Sequence, residues 1–323
     1  MTMKIVAALG GNALLKRGEP MNAQTQRANV RRAASALGEL VRAGHQLVVT
    51  HGNGPQVGLL ALQAAAGPKD GAYPLDVLGA ESEGMIGYLI EQELENHLSK
   101  GTLIATLLTQ IRVDGNDSAF QRPTKPIGPV YDEPIARALA AERGWSIGAD
   151  GKKWRRVVAS PEPLEILEVR VIAMLVERGV IVICAGGGGI PVVQRESGDF
   201  VGVEAIIDKD RASALLARQL HADMLLLLTD VDAVYADFGT PRARAIASVG
   251  AAAIMPGEFD TGSMGPKVGA ATNFALATGN PTGIGRLEDA SAIVLGAAGT
   301  RINHTASSPV FWPSLASNDE SRT

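Results

Sequence analysis

Cysteine is nearly absent from this chain: Cys184 stands alone in 323 residues, which excludes an internal disulfide and a thiolate metal site. Set in an apolar run, it reads as a small core residue in a reducing compartment. Aromatic residues make up only 4% of the chain, and 30 Lys and Arg against 34 Asp and Glu leave a net charge of −4. There is neither a stacking platform for bases nor a basic excess for phosphate backbones, so nucleic acid is not an expected partner. No apolar run approaches membrane-spanning length, and the first residues enter a short strand pattern rather than a signal peptide, so the cytoplasm is the expected compartment. Two phosphate fingerprints are missing as well. There is no GxxxxGKS or GxxxxGKT of a P-loop and no GxGxxG of a dinucleotide fold. What remains is an ordinary soluble composition, 46% hydrophobic and 20% charged, in a chain long enough for two lobes or one large α/β unit.

Glycine, by contrast, is plentiful and sits where strands end. Residues 180–184, VIVIC, form a continuous apolar run of the kind a fully buried parallel strand needs, and Gly186 to Gly189 break it. Residues 4–9 break in the same way at Gly10-Gly11-Asn12, and residues 46–50 at His51-Gly52-Asn53-Gly54-Pro55. A glycine turn beyond a buried strand leaves backbone N–H groups unshielded and can close on an anion, typically phosphate. Each turn alone is also what a tight strand exit looks like. Together with helical stretches at 25–43, 74–97 and 164–176 they describe βα alternation, and hence a parallel sheet covered by helices on both faces. Ligands of such sheets bind outside the carboxyl ends of the strands, where all three turns fall. His51 is read as a structural histidine ordering its loop rather than as an acid or base.

Charge gathers close to those turns. Asp208, Lys209 and Asp210 alternate in sign directly after Ala205-Ile206-Ile207. A lysine between two carboxylates stays protonated and positioned, as a clamp on a transferring phosphoryl group must be, although a solvated charge run has the same letters. GSMGPK, ending at Lys267, precedes the small-residue helical stretch 268–277 and makes a second anion site. Lys125, flanked by Pro123 and Pro126, is stiffened in a way that suits a lysine aimed into a site, and equally a solvent-facing one. The strand at 224–228 ends in Thr229, Asp230, Asp232 and Tyr235, whose groups suit ribose, purine or a metal-bound phosphate, and suit turn capping equally. Residues 114–156 interrupt the pattern with four prolines and the basic cluster Lys152, Lys153, Arg155 and Arg156. With Trp145, Trp154 and Tyr131 available to pack, an ordered inserted subdomain is expected, its basic cluster a solvated face. Strands are also expected at 103–109 and 292–295, and a mobile tail with no catalytic role at 302–323.

In order along the chain, LGGNAL, HGNGPQVG, PTKPIGP, CAGGGGIPV, GVEAIIDKD, LTDVDAVY and GSMGPK resemble the blocks of carbamate kinases, of the amino-acid kinase superfamily, over essentially residues 3–301. Ala185, which lengthens its turn relative to a plain C-G-G-G-G run, and the tail after Arg301 are the departures. The resemblance implies an α/β fold, an open αβα sandwich on a mainly parallel sheet. Residues 1–220 would bind carbamate or carbamoyl phosphate, with an inserted lid at 114–158, and residues 221–301 the nucleotide. It implies reversible phosphoryl transfer between carbamoyl phosphate and ADP, giving ATP and a carbamate that decays to ammonia and CO2. Arginine catabolism by the arginine deiminase pathway, Mg2+ and a homodimer are implied too.

Carried onto this sequence, the resemblance makes Lys209, Lys125, Asp208 and Asp210 catalytic. Gly10, Gly11, Asn12, Gly52, Asn53 and Gly54 would hold carbamoyl and phosphoryl oxygens, and Lys267, Thr229, Asp230, Tyr235, Gly187 and Gly188 the nucleotide. No side-chain metal ligand is assigned, the magnesium being held mainly by nucleotide phosphates. Two rivals stand beside this: another acid or small-phosphate kinase of the same fold, and a non-catalytic oxyanion binder. The presence of Lys125, Lys209, Lys267 and Asp208 together speaks against the binder.

Overall fold

The computed structural model of the chain describes residues 2–15, 18–20, 22–66, 73–260, 262–305 and 307–313. It begins with β1 (Lys4–Leu9), α1 (Gly11–Leu14), α2 (Ala23–Arg42), β2 (Gln46–His51), α3 (Gly54–Ala66), α4 (Leu75–His97), β3 (Ile104–Thr106) and β4 (Gln110–Val113). Then come β5 (Lys125–Tyr131), α5 (Glu133–Arg143), β6 (Ser146–Asp150), β7 (Lys153–Val158), β8 (Pro163–Ile166), α6 (Val169–Glu177), β9 (Ile181–Ile183), β10 (Ile190–Gln194) and β11 (Phe200–Gly202). The last third holds α7 (Lys209–Gln219), β12 (Met224–Thr229), β13 (Val234–Ala236), β14 (Arg244–Gly250), α8 (Met264–Thr278), β15 (Thr282–Arg286), α9 (Ala290–Val294), β16 (Thr300–Asn303) and β17 (Val310–Phe311).

The continuous apolar runs KIVAAL, QLVVTH and MLLLLT form the middle of a ten-stranded sheet ordered β13-β14-β16-β15-β12-β1-β2-β9-β3, with β17 added to β14. β1 lies between β2 and β12, parallel to both, with Leu9 opposite His51 on one side and Leu228 on the other. Successive side chains of β1 feed opposite faces. Ile5, Ala7 and Leu9 pack with Val30, Leu37 and Ile86 of α2 and α4. Val6 and Ala8 join the core that contains Ile172, Leu216 and Phe274 of α6, α7 and α8. Helices on both faces are why these strands carry no polar alternation. Residues 1–220 supply β1, β2, β3 and β9 to this sheet and residues 221–303 supply β12 to β16, so both regions share one hydrogen-bonded platform.

Two small sheets stand apart, β11-β10-β4-β8 and β5-β7-β6. The second, with α5, lies within the stretch 114–158 read as an insertion. Its Ile127 and Val158 share a small core with Val57, Leu75, Leu78 and Ile206. The basic cluster there is not merely a solvated face. Arg156 stacks over Trp145 with 4.9 Å to the ring centroid, Lys153 pairs with Asp132 at 2.6 Å and Arg155 with Asp150 at 3.0 Å.

Several expected elements are corrected. The apolar run at 292–295 falls mostly in α9, not in a strand, because four residues cannot separate a period of 2 from one of 3.6. The stretch 103–109 ends at Thr106, and Gln110 opens β4 in a different sheet. The helix expected at 164–176 starts only at Val169, after β8. The segment expected as a tail continues the fold. Ile302 lies in β16, Val310 and Phe311 pair with β14, and the Trp312 indole donates to the Gly299 carbonyl at 2.8 Å. Apolar and aromatic side chains hold this piece down; residues 314–323 lie outside the described residues.

Candidate active site

Because β1, β2, β9 and β12 run parallel, with Leu9 level with His51 and Leu228 and with Val49 level with Ile183, their following turns open on one edge of the sheet. Gly10 N–H donates to the Leu228 carbonyl at 2.9 Å and Gly52 N–H to the Leu9 carbonyl at 3.0 Å. A Cβ on Gly52 would lie 3.2 Å from the Gly11 nitrogen and 3.5 Å from Lys209 Cδ, so the first two turns meet close against Lys209 with little room for a side chain. Asn12 lies within α1, and its side chain is outside the described atoms.

The charged cluster is built on the start of α7. Asp208 caps that helix, its Oδ1 accepting from the N–H groups of Asp210 at 2.9 Å and Arg211 at 3.3 Å. Its Oδ2 accepts from Lys125 Nζ of β5 at 2.6 Å. Asp210, one residue into the helix and buried, accepts Lys209 Nζ on one oxygen and Lys267 Nζ, from the first turn of α8, on the other at 3.0 Å. Three lysines from three elements thus converge on two carboxylates two residues apart. With three positive and two negative charges at the N-termini of α7 and α8, the cluster carries a net positive charge that favours an anion.

Burial sets the protonation of this cluster and the ion pairs correct it. Burial alone would raise the Asp210 carboxyl, but the Lys209 and Lys267 ammonium groups hold it below the usual carboxylate range. Asp208 is lowered in the same way, burial being outweighed chiefly by Lys125. Burial lowers Lys209 against the opposing pull of Asp210, whereas for Lys267 Asp210 prevails over burial and raises it. Every charge here depends on its partner, since a buried ion left alone is costly.

The nucleotide candidates separate into two groups. Thr229 donates its hydroxyl to Asp230 at 3.1 Å, and Tyr235 donates to Asp232 at 3.0 Å. Thr229 closes β12 and Tyr235 lies in β13, both on the β12 side of β1, and a Cβ on Gly10 would come within 3.9 Å of the Thr229 hydroxyl. Gly187 and Gly188 lie elsewhere, past β9 on the far side of β2. A Cβ on Gly187 would fall 2.1 Å from Asn53 Nδ2, and one on Gly188 2.2 Å from the Ile207 carbonyl oxygen. Gly187 thus packs against the 52–54 turn, and Gly188 against the residue that precedes Asp208. Ala185, the departure in this block, adopts a left-handed φ of 49° and donates its N–H to the Thr109 hydroxyl at 2.9 Å.

Sequence reasoning missed Glu83. This α4 carboxyl is 1% exposed and accepts the N–H groups of Gly186 at 2.7 Å and Thr109 at 3.2 Å. Burial pushes it up to about 8. The same burial lowers His51 to about 4, so its imidazole is neutral at pH 7, with Nδ1 3.1 Å from the Gly52 carbonyl oxygen. Among the described residues no group of three or more His, Cys, Asp or Glu side chains is placed to hold a metal ion.

The amino acid kinase family profile matches residues 3–284. A carbamate kinase of Rhizobium meliloti (strain 1021) is 54% identical over 312 residues, 96% of each chain. Another, from Haemophilus influenzae, is 56% identical over 300 residues, covering 93% of this chain and 96% of that one. Among solved structures, the carbamate kinase from Giardia lamblia bound to AMP-PNP superposes with a TM-score of 0.85 at 42% identity, over 94% of this chain and 98% of the other.

Proposed function

We propose a function on one premise: the chain belongs to the amino acid kinase family. Within it the protein is a carbamate kinase, moving a phosphoryl group reversibly between carbamoyl phosphate and ADP. The cluster of Lys125, Lys209 and Lys267 on Asp208 and Asp210 carries this reading. Phosphoryl transfer asks a protein for in-line positioning and charge neutralisation and for little covalent help. In the ATP-forming direction, the bond from phosphorus to the carbamoyl oxygen breaks as the bond to the terminal ADP oxygen forms. The electron pair stays on the carbamate, which leaves as an anion, so no proton has to move at the reacting atoms.

Each residue has a place in that step. Lys209 neutralises the transferring group, Lys125 holds the phosphate of carbamoyl phosphate and Lys267 the phosphates of the nucleotide. Asp208 and Asp210 keep the lysines charged and apart. Backbone N–H groups of Gly11, Asn12, Asn53 and Gly54 face the acyl phosphate. Those of Gly10 and Gly52 are spent on the Leu228 and Leu9 carbonyls, and these two glycines serve by letting the turns approach, with Gly187 packed against Asn53 and Gly188 against Ile207. Thr229, Asp230 and Tyr235 take the nucleoside. Mg2+ brought in with the nucleotide would supply further neutralising charge to its phosphates. The residues fit an ion held by phosphates, since Asp208 and Asp210 already face lysines.

A homodimer is supported by the edge strand β3, flanked by the exposed apolar side chains Tyr88, Leu103 and Leu108. Among the described residues no helix is long and apolar enough to cross a membrane, which suits a cytoplasmic enzyme. ATP formation during arginine breakdown is the role the resemblance implies. The test is a coupled assay of ATP formation from ADP and carbamoyl phosphate, with and without Mg2+. Magnesium-dependent ATP formation is expected; none from folded protein would overturn the reading.

A further inference from the structure

Two consecutive residues of α4, Ser82 and Glu83, lie against the glycine turns and have no part in the chemistry above. Ser82, with no exposed surface, gives its one hydroxyl proton to the Gly79 carbonyl at 2.8 Å. It can therefore only accept from Asn53 Nδ2, also at 2.8 Å, which fixes the direction in which the Asn53 amide points. Glu83 reaches the other turn. Its Oε1 takes the Gly186 N–H and its Oε2 the Thr109 N–H, and Thr109 in turn takes the Ala185 N–H on its hydroxyl.

The two turns are locked face to face. A Cβ on Gly186 would come within 2.4 Å of the His51 ring and 2.8 Å of Glu83 Cγ, so turn, histidine and carboxyl occupy one close-packed junction. A carboxyl is costly to bury unless its acceptors are used. Here both oxygens hold backbone N–H groups of segments that flank the site.

We propose that Glu83, assisted by Ser82, is a positioning residue for the acyl phosphate. It sets the 185–189 turn against the 52–54 turn so that the N–H groups of Asn53 and Gly54 point at the substrate. It touches no reacting atom and acts only through Gly186 and Asn53; this role rests on the carbamate kinase reading.

Glu83→Gln tests it. A carboxyl has acceptor lone pairs on both oxygens and a carboxamide on only one, so glutamine must set N–H against N–H at either Gly186 or Thr109. The expected result is a fall in kcat/KM for carbamoyl phosphate of up to about 10²-fold, with KM for ADP within roughly twofold, because the misplacement lies on the β2 side of the site. Hydrogen exchange in the substrate-free protein should rise at residues 185–189 and stay unchanged at 229–235. That readout needs no turnover, so a wild type inert toward carbamoyl phosphate would sink the functional reading while the clamp is still judged by exchange. A folded Glu83→Gln protein with unchanged exchange at 185–189, or with both KM values moving together, overturns the proposal. Should Glu83→Gln fail to fold, Ser82→Ala unties Asn53 alone, and wild-type kinetics for carbamoyl phosphate in that variant would also overturn it.

Discussion

The three lysines of the site are held in two different ways. Lys209 and Lys267 stand on the first turns of α7 and α8, with side chains 11% and 12% exposed, and share the carboxylate of Asp210. Lys125 comes from the inserted subdomain, its side chain is 32% exposed, and it meets Asp208 across 83 positions of sequence. The first two are fixed on helices packed against the central sheet, and the third is delivered by a separate small sheet. In the mechanism proposed above, the fixed charge serves the transferring group and the delivered charge the recognition of a small substrate.

Removing a fixed lysine should have the largest effect. Lys209→Ala is expected to lower kcat by on the order of 10²–10³-fold, the usual cost of losing a preorganised donor, with little change in either KM. A folded variant with wild-type kcat would remove Lys209 from the mechanism. Asp210→Asn separates charge from scaffold. Burial already lowers Lys209 and Asp210 opposes that pull, so without the carboxylate Lys209 loses its proton at lower pH. The alkaline limb of the kcat profile should therefore move to lower pH, and an unshifted limb would show that Asp210 does not govern Lys209.

On the delivered side, Gly58 is where α3 meets the insertion. A Cβ there would lie 2.2 Å from Gly128 Cα and 2.5 Å from its nitrogen, backbone that cannot swing aside. Gly58→Ala should raise KM for carbamoyl phosphate by roughly tenfold and leave KM for ADP alone, although alanine favours the helix by about 0.5–1 kcal/mol. Equal shifts in both constants would mean that the insertion serves both substrates.

The smallest effect is on stability. Glu83 holds its proton up to about pH 8 in the folded protein but only to about 4.5 when unfolded. The folded state thus binds the extra proton between those values, and the stability it contributes at low pH is lost as pH rises toward 8. The Tm of the wild type should fall between pH 5 and 8 relative to Glu83→Gln. His51 changes stability in the opposite sense, losing its contribution as pH falls from 6.5 to about 4, and it cancels in that comparison. Parallel Tm curves would place the Glu83 proton elsewhere.

The legible parts of this molecule are those where one residue type has one physical use. Continuous apolar runs mark the buried strands, and glycine after them marks the turns, because a Cβ on Gly187 or Gly188 would strike Asn53 or Ile207. The order Asp208-Lys209-Asp210 showed the charge clamp, but not that Asp208 faces the insertion while Asp210 faces α8. Glu83 was invisible because periodicity reports which face of a helix a residue is on, and an acidic residue facing inward at the end of a sheet has the same letters as one facing water. That Gly187 follows a strand on the far side of β2 from β12 and packs against Asn53 is equally hidden, because a sequence carries no strand order. Val310 and Phe311 were lost among serines and prolines that suggested a tail.

The central place of β1 also bears on how the protein is made. Its first residues pair with β2 about 40 positions away, but its other edge waits for β12, since Ile5 faces Met224 and Lys4 bonds Asp223 across 219 positions. At about 5–20 residues per second, a ribosome needs roughly 10–40 s to supply that partner. For that interval a strand that is buried from Ile5 to Leu9 in the folded protein has one hydrogen-bonding side unpaired, and that side is the one the nascent chain has to keep from its neighbours.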